Sequence, residues 1–205
     1  MTRVGVGVRL RILVLTLLVE GGLLLLAYLL GWLVDAPPFA RRATDSGGAL
    51  LIGLLATAPM LGLFALSIGS RWSPLVRIRQ LLLDDFMPLL SESGAPDLLL
   101  ISLLAGIGEE ALFRGVIQVA LADWLGVGLG LAITSLLFGL AHAVTFGYLV
   151  LATCMGAYLG WLLQYSGGMI APVVTHALYD FVALLYLRRR FTARASASEA
   201  GAPPR

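Results

Sequence analysis

Gly108-Glu109-Glu110-Ala111-Leu112-Phe113-Arg114-Gly115 lies inside an apolar run, Leu98 to Ala122, that is long enough to cross a bilayer. A charge at the bilayer centre costs at least ~2.5 kcal/mol on insertion scales, so intramembrane Glu and Arg are read as functional groups facing a bundle interior or a watered cavity. Three more ionisable residues, His142, His176 and Asp180, follow in later apolar runs. The rest of the chain reads as a scaffold that brings these six side chains together.

Composition agrees with a membrane scaffold. The 205 residues are 59% hydrophobic and only 13% charged, with a mean hydropathy of +0.93, which excludes an ordinary soluble domain. At ~20 residues per span there is room for about six transmembrane helices in one membrane-embedded domain. The expected fold class is therefore all-α, a polytopic membrane helical bundle. The bilayer is an expected partner and nucleic acid is not. The net charge of +2 matters less than its distribution, and all fourteen basic residues are Arg. The single cysteine, Cys154, can form no intrachain disulfide.

Outward from the central run, the first span is expected over Ile12 to Val34, behind Arg3, Arg9 and Arg11, and is too long for a signal-peptide core. Glu20 lies in it, placed to snorkel or to pair with an arginine. A loop with Pro37-Pro38, Arg41-Arg42 and Asp45 leads to a second span, Ala49 to Ile68, which Pro59 is expected to kink. Leu75, Ile78, Leu82, Phe86 and Leu89 then recur at helical spacing opposite Arg77, Gln80, Asp84 and Pro88. This is a short amphipathic helix lying in the interface or plugging the bundle. The third span is Leu98 to Ala122. The fourth, fifth and sixth are Val127 to Phe146, Tyr148 to Tyr165 and Met169 to Leu187, and Gly156-x-x-x-Gly160 in the fifth favours close helix packing. Residues 1–187 form the domain, and 188–205, opening with Arg188-Arg189-Arg190, are expected to be a basic disordered tail. Basic clusters at the N-terminus, after span two and after span six fall on one side if there are six spans. That puts both termini in the cytoplasm.

Residues four apart share a helix face, so Glu110 and Arg114 pair within their helix and Glu109 is left for another partner. His142 shares a face with Phe138, and Asp180 is one turn from His176, where it can accept a ring N–H and fix the tautomer. A carboxylate beside two imidazoles can take a proton from water while the imidazoles stabilise developing charge, which is hydrolysis by general acid–base catalysis. The same residues could instead ligate zinc, although the His-Glu-x-x-His helix of metalloproteases is absent. A non-catalytic membrane protein and a proton-coupled carrier are the rival classes.

Glu109-Glu110-x-x-x-Arg114, Phe138-x-x-x-His142 and His176-x-x-x-Asp180 resemble the three motifs of the CAAX-protease and bacteriocin-processing family of intramembrane proteases, over about residues 95 to 187. The resemblance implies that Glu109 activates the attacking water and that His142 holds it. His176 and Asp180 would stand where the family stabilises the oxyanion, with Glu110 and Arg114 in supporting positions. Asp180 replaces the Asn of many members. An ionised carboxylate cannot donate to an oxyanion, so Asp180 acts either protonated or by orienting His176.

The expected function is a glutamic-type intramembrane endopeptidase acting on a membrane-anchored protein or peptide precursor, with no cofactor and zinc left open. The expected location is a prokaryotic plasma membrane. The alternative is an immunity or assembly factor that keeps the protease fold.

Overall fold

The computed structural model describes residues 3–41 and 45–200. Among the described residues eight α-helices run in chain order: α1 Arg3–Leu33, α2 Ser46–Gly69, α3 Ser73–Gln80, α4 Ala95–Glu110, α5 Gln118–Leu125, α6 Val127–Ala141, α7 Phe146–Ser166 and α8 Ile170–Ala200. A π-helical turn, Ala111–Ile117, joins α4 to α5 into one continuous rod covering the expected third span. The fold is all-α, as composition implied.

Four of these helices are long and apolar enough to cross a membrane: Gly7–Leu33, Ser46–Gly69, Phe146–Ser166 and Ile170–Ala197, while Val127–Ala141 is shorter. The chain is an integral membrane protein, and its outer surface shows why. Leu18 on α1 is 65% exposed, and Trp32 at its end is 81% exposed. Such a surface is stable only where the solvent is itself apolar.

Local chemistry sets the helix ends. Asp45 caps α2 by accepting from the Gly47 N–H at 3.0 Å, and Thr145 caps α7 by accepting from the Tyr148 N–H at 3.1 Å. Gly126 (φ +90°) separates α5 from α6, and Gly167 (φ +70°) ends α7, both in conformations that favour glycine. Pro59 lies inside α2 without ending it.

Small residues let the helices close on one another. A side chain on Gly106 of α4 would strike Ala177 of α8, one on Gly53 of α2 would strike Ala171 and Val174 of α8, and one on Gly139 of α6 would strike Thr153 and the Leu149 carbonyl of α7. Behind the central turn, Ala27 of α1 packs with Ala111, Leu112, Phe113, Val116, Phe138 and Ala152.

The structure departs from expectation in several places, and the first helix already starts at Arg3, nine residues before Ile12. The fourth span stops at Ala141, not Phe146, because His142 (φ −104°, ψ 12°) leaves helical geometry and Thr145 caps the next helix. The sixth helix runs past Leu187 to Ala200. Arg188 to Arg190, Ala193, Arg194 and Ala195 are helix formers, and neither Gly nor Pro intervenes before Gly201. The amphipathic stretch is not one regular helix but α3, a π turn Leu81–Phe86 and a 3-10 turn Met87–Leu90. The polar side is as read, with Arg77, Gln80, Asp84 and Pro88 exposed, and Ile78 is buried. Past the π turn, however, the apolar face shifts: Phe86 and Leu89 are exposed, and Leu83, Met87 and Leu90 are buried instead.

The basic residues gather at one end of the bundle. Arg9 makes two hydrogen bonds to Asp97, at 2.6 and 2.7 Å, tying the starts of α1 and α4 together. Arg194 reaches Asp84 at 3.4 Å. Arg41, at the far end, donates to Gln164 at 3.2 Å. Arg42 and residues 201–205 of the tail lie outside the described residues.

Candidate active site

The rod carrying the central turn supplies two adjacent carboxylates that go different ways. Successive residues on a helix are ~100° apart, so Glu110 turns into the bundle and Glu109 turns toward a cavity. Glu110 is completely buried, with Oε1 2.8 Å from His176 Nδ1 and 3.1 Å from Arg114 Nη1. The intrahelical pair expected from the spacing is present. A third member, His176, comes from α8.

Arg114 is likewise completely buried. Its Nη2 donates to the Gly156 carbonyl at 3.1 Å, and its Cζ lies 4.3 Å from the centre of the Phe138 ring, a cation–π distance. One turn on, Gln118 Nε2 donates to the Gly160 carbonyl at 2.9 Å. The Gly156-x-x-x-Gly160 spacing therefore does more than permit close packing. With no side chain at 160, Gln118 of the rod reaches the α7 backbone, whereas a Cβ at 156 would meet Phe138 and Ser135 of α6.

On the cavity side, Glu109 Oε2 stands 3.6 Å from His142 Nε2, and the two side chains are 13% and 28% exposed. That distance exceeds a direct hydrogen bond and leaves both groups facing open space. His142 Nδ1 lies 2.8 Å from the Phe138 carbonyl. A carbonyl only accepts, which assigns the proton to Nδ1 and turns Nε2 toward Glu109. His176 is held similarly from the other side. Its Nδ1 donates to Glu110, and its Nε2 is 3.5 Å from Asp180 Oδ2. Asp180 is placed to orient His176, as its one-turn spacing suggested.

Phe138 touches every part of this arrangement, with its ring centre 4.5 Å from that of His142, 6.1 Å from that of His176 and 5.1 Å from that of Phe113.

Glu109, His142, His176 and Asp180 line a cavity of about 490 Å³. It extends toward Arg79, Leu82, Phe86 and Leu89 of the amphipathic stretch, which forms a wall, and apolar side chains line most of it. Arg79 is anchored there by its contact with the Ile68 carbonyl at the end of α2. No group of three or more His, Cys, Asp or Glu side chains is arranged to hold a metal ion among the described residues.

All six residues singled out in the sequence thus converge, and two further polar residues join them. Gln118 gives no sequence signal beyond standing four residues after Arg114. Glu20 gave the same signal as the others, a charge in an apolar run. It neither snorkels nor pairs with an arginine among the described residues; it lines the cavity.

Residues 91–182 are similar to a known family. They match the family described as type II CAAX prenyl endopeptidase Rce1-like, and all six motif residues fall within those bounds. The resemblance carried by the three motifs is therefore borne out by a comparison spanning the whole set. The chain is also similar to "Uncharacterized protein YpbD" of Bacillus subtilis (strain 168), at 28% identity over 104 residues, which is 48% of this chain and 49% of that protein. The chain thus spans about half the length of the curated relative it matches. No solved structure matches it.

Proposed function

We propose that this protein is an intramembrane endopeptidase in which Glu109 and His142 hold and activate a water for attack on a peptide bond. The observation that carries this reading is the Glu109–His142 pair, 3.6 Å apart at the edge of an apolar cavity, with Glu109 Oε2 buried and without a hydrogen-bond partner.

A water between the two groups gives its proton to Glu109 while its oxygen attacks the carbonyl carbon. With a proton on each ring nitrogen, His176 donates through Nδ1 to Glu110 and has Nε2–H for the developing oxyanion, and the Asp180 carboxylate, 3.5 Å from Nε2, balances the charge of the imidazolium. Asp180 acts through His176 in this scheme and need not donate itself. Glu110 and Arg114 fix His176 from behind. Catalytic zinc is usually held by three protein ligands, and the donor arrangement supports water activation by Glu109 without a metal. Turnover is expected to be unchanged after dialysis against EDTA.

The apolar lining supports a substrate that is a membrane-anchored protein or peptide precursor. Prenylation is not assumed. The basic end of the bundle supports cytoplasmic termini in a prokaryotic plasma membrane.

The test compares protein termini, by mass spectrometry of membrane and secreted fractions, between cells carrying the wild type and Glu109→Ala at equal abundance. Termini present in the wild type and lost in the variant are expected, and they identify the substrate. Identical termini, together with rescue of a deletion phenotype by Glu109→Ala, would instead make the protein a non-catalytic immunity or assembly factor.

A further inference from the structure

Hydrolysis of an amide creates a charge that the groups assigned so far do not meet. The C–N bond breaks, and the nitrogen takes the proton that water gave to Glu109 and leaves as a neutral amine. The carboxylic acid formed on the other fragment then gives up its proton, so that the products are a carboxylate and an ammonium ion with three N–H donors. In a cavity lined mostly by apolar side chains, that ammonium ion is strongly disfavoured once it parts from the carboxylate product, unless another anion stands beside it.

Three carboxyl groups line this cavity. Glu109 faces His142, and Asp180 faces His176. Glu20 of α1 is the third. It makes no ion pair among the described residues, and its Oε2 is buried without a hydrogen-bond partner. Gly108 brings it there. A Cβ at 108 would lie 2.7 Å from the Glu20 carbonyl oxygen and 3.1 Å from its Oε2, so only a glycine lets α1 carry this carboxyl so close to the turn that bears Glu109. Glu20 lies outside the matched residues 91–182 and belongs to none of the three motifs.

We propose that Glu20 is the group that receives the leaving nitrogen, an inference that rests on the hydrolytic reading above. Its carboxylate accepts hydrogen bonds from the departing amine as the C–N bond breaks and pairs with the ammonium product. One proton travels from water to Glu109 and from Glu109 to nitrogen, and a second reaches nitrogen from the new carboxylic acid, which becomes the carboxylate product. Glu20 supplies charge and consumes no proton in that balance.

The test uses the full-length protein in vesicles of phosphatidylethanolamine and phosphatidylglycerol. The probes are an internally quenched peptide spanning a cleavage site found by the termini comparison and its ester analogue, in which oxygen replaces the scissile N–H. An ester releases a neutral alcohol and has no cation to stabilise. Glu20→Gln is expected to lower kcat on the amide by about 10- to 100-fold, with KM little changed, and to slow the ester far less. Glu109→Gln is expected to stop both. Equal losses on amide and ester in Glu20→Gln, or full amide turnover, overturn the proposal while leaving the hydrolytic reading in place. Full turnover in Glu109→Gln, or no cleavage of either probe by the wild type, brings down the hydrolytic reading and this inference with it. Should Glu20→Gln fail to insert, Glu20→Asp serves in its place and is expected to show the same amide-selective loss, smaller in size.

Discussion

Glu109 and Glu110 are neighbours in the chain and opposites in the fold. Glu110 is completely buried, touches Arg114 and His176 at 3.1 and 2.8 Å, and sits where nothing can reach it. Glu109 is 13% exposed, stands 3.6 Å from its nearest ionisable partner and borders a cavity. Tight pairing marks the carboxylate that builds the site. Loose pairing leaves Glu109 bordering the cavity, which is why the proposed chemistry is assigned to it and not to Glu110.

The sharpest break of this contrast is in activity. Glu109→Gln keeps the shape and removes the base, so turnover is expected to fall by about 10²- to 10⁴-fold while thermal stability in detergent barely moves. Arg114→Ala should do the reverse in origin: it leaves Glu110 buried with one fewer cation, at a cost of about 3 to 5 kcal/mol, measured as a lower unfolding midpoint. If Arg114→Ala left stability intact while Glu109→Gln unfolded the protein, the assignment of scaffold and reactant would be inverted.

A smaller effect is expected at Gly160, where an added methyl would run into Gln118 and Leu131. Gly160→Ala should destabilise by about 1 to 3 kcal/mol through overpacking, and the shorter side chain of Gln118→Ala on the same background should recover part of the loss.

The smallest effect lies at the basic end. Hydrogen bonding from Arg9 holds the Asp97 carboxyl below its ordinary range. A carboxyl lowered by folding adds stability that is complete above its unfolded value, ~3.9, and is lost as pH falls through the folded one. Arg9→Gln should therefore lower the unfolding midpoint slightly at neutral pH and not at all in strong acid.

The contrast also explains what was legible in advance. Glu110 with Arg114, and His176 with Asp180, are one turn apart on single helices, so their pairing follows from helical geometry alone. The link from Glu110 to His176 spans 66 positions and depends on α4 meeting α8 at Gly106 and Ala177, a packing choice that no local period encodes. Glu20 was visible as an intramembrane charge, but the direction of a side chain on a largely apolar helix is set by its neighbours. The continuation of α8 beyond Leu187 was missed for a different reason. A polar, Arg-rich segment was read as lacking a core to order it, whereas helix-forming residues directly after a packed helix extend it without a new nucleation step.

Phe138 has one further consequence. Its ring meets both the Arg114 guanidinium and the His142 imidazole, so the buried pair and the cavity pair share a single wall. Substitutions at 109 and 114 touch different partners, yet their free energies should not simply add while that ring is present. In a double-mutant cycle the non-additive remainder should shrink when Phe138 is replaced by Leu, making the aromatic ring a measurable coupling between the stability of the scaffold and the rate of the reaction.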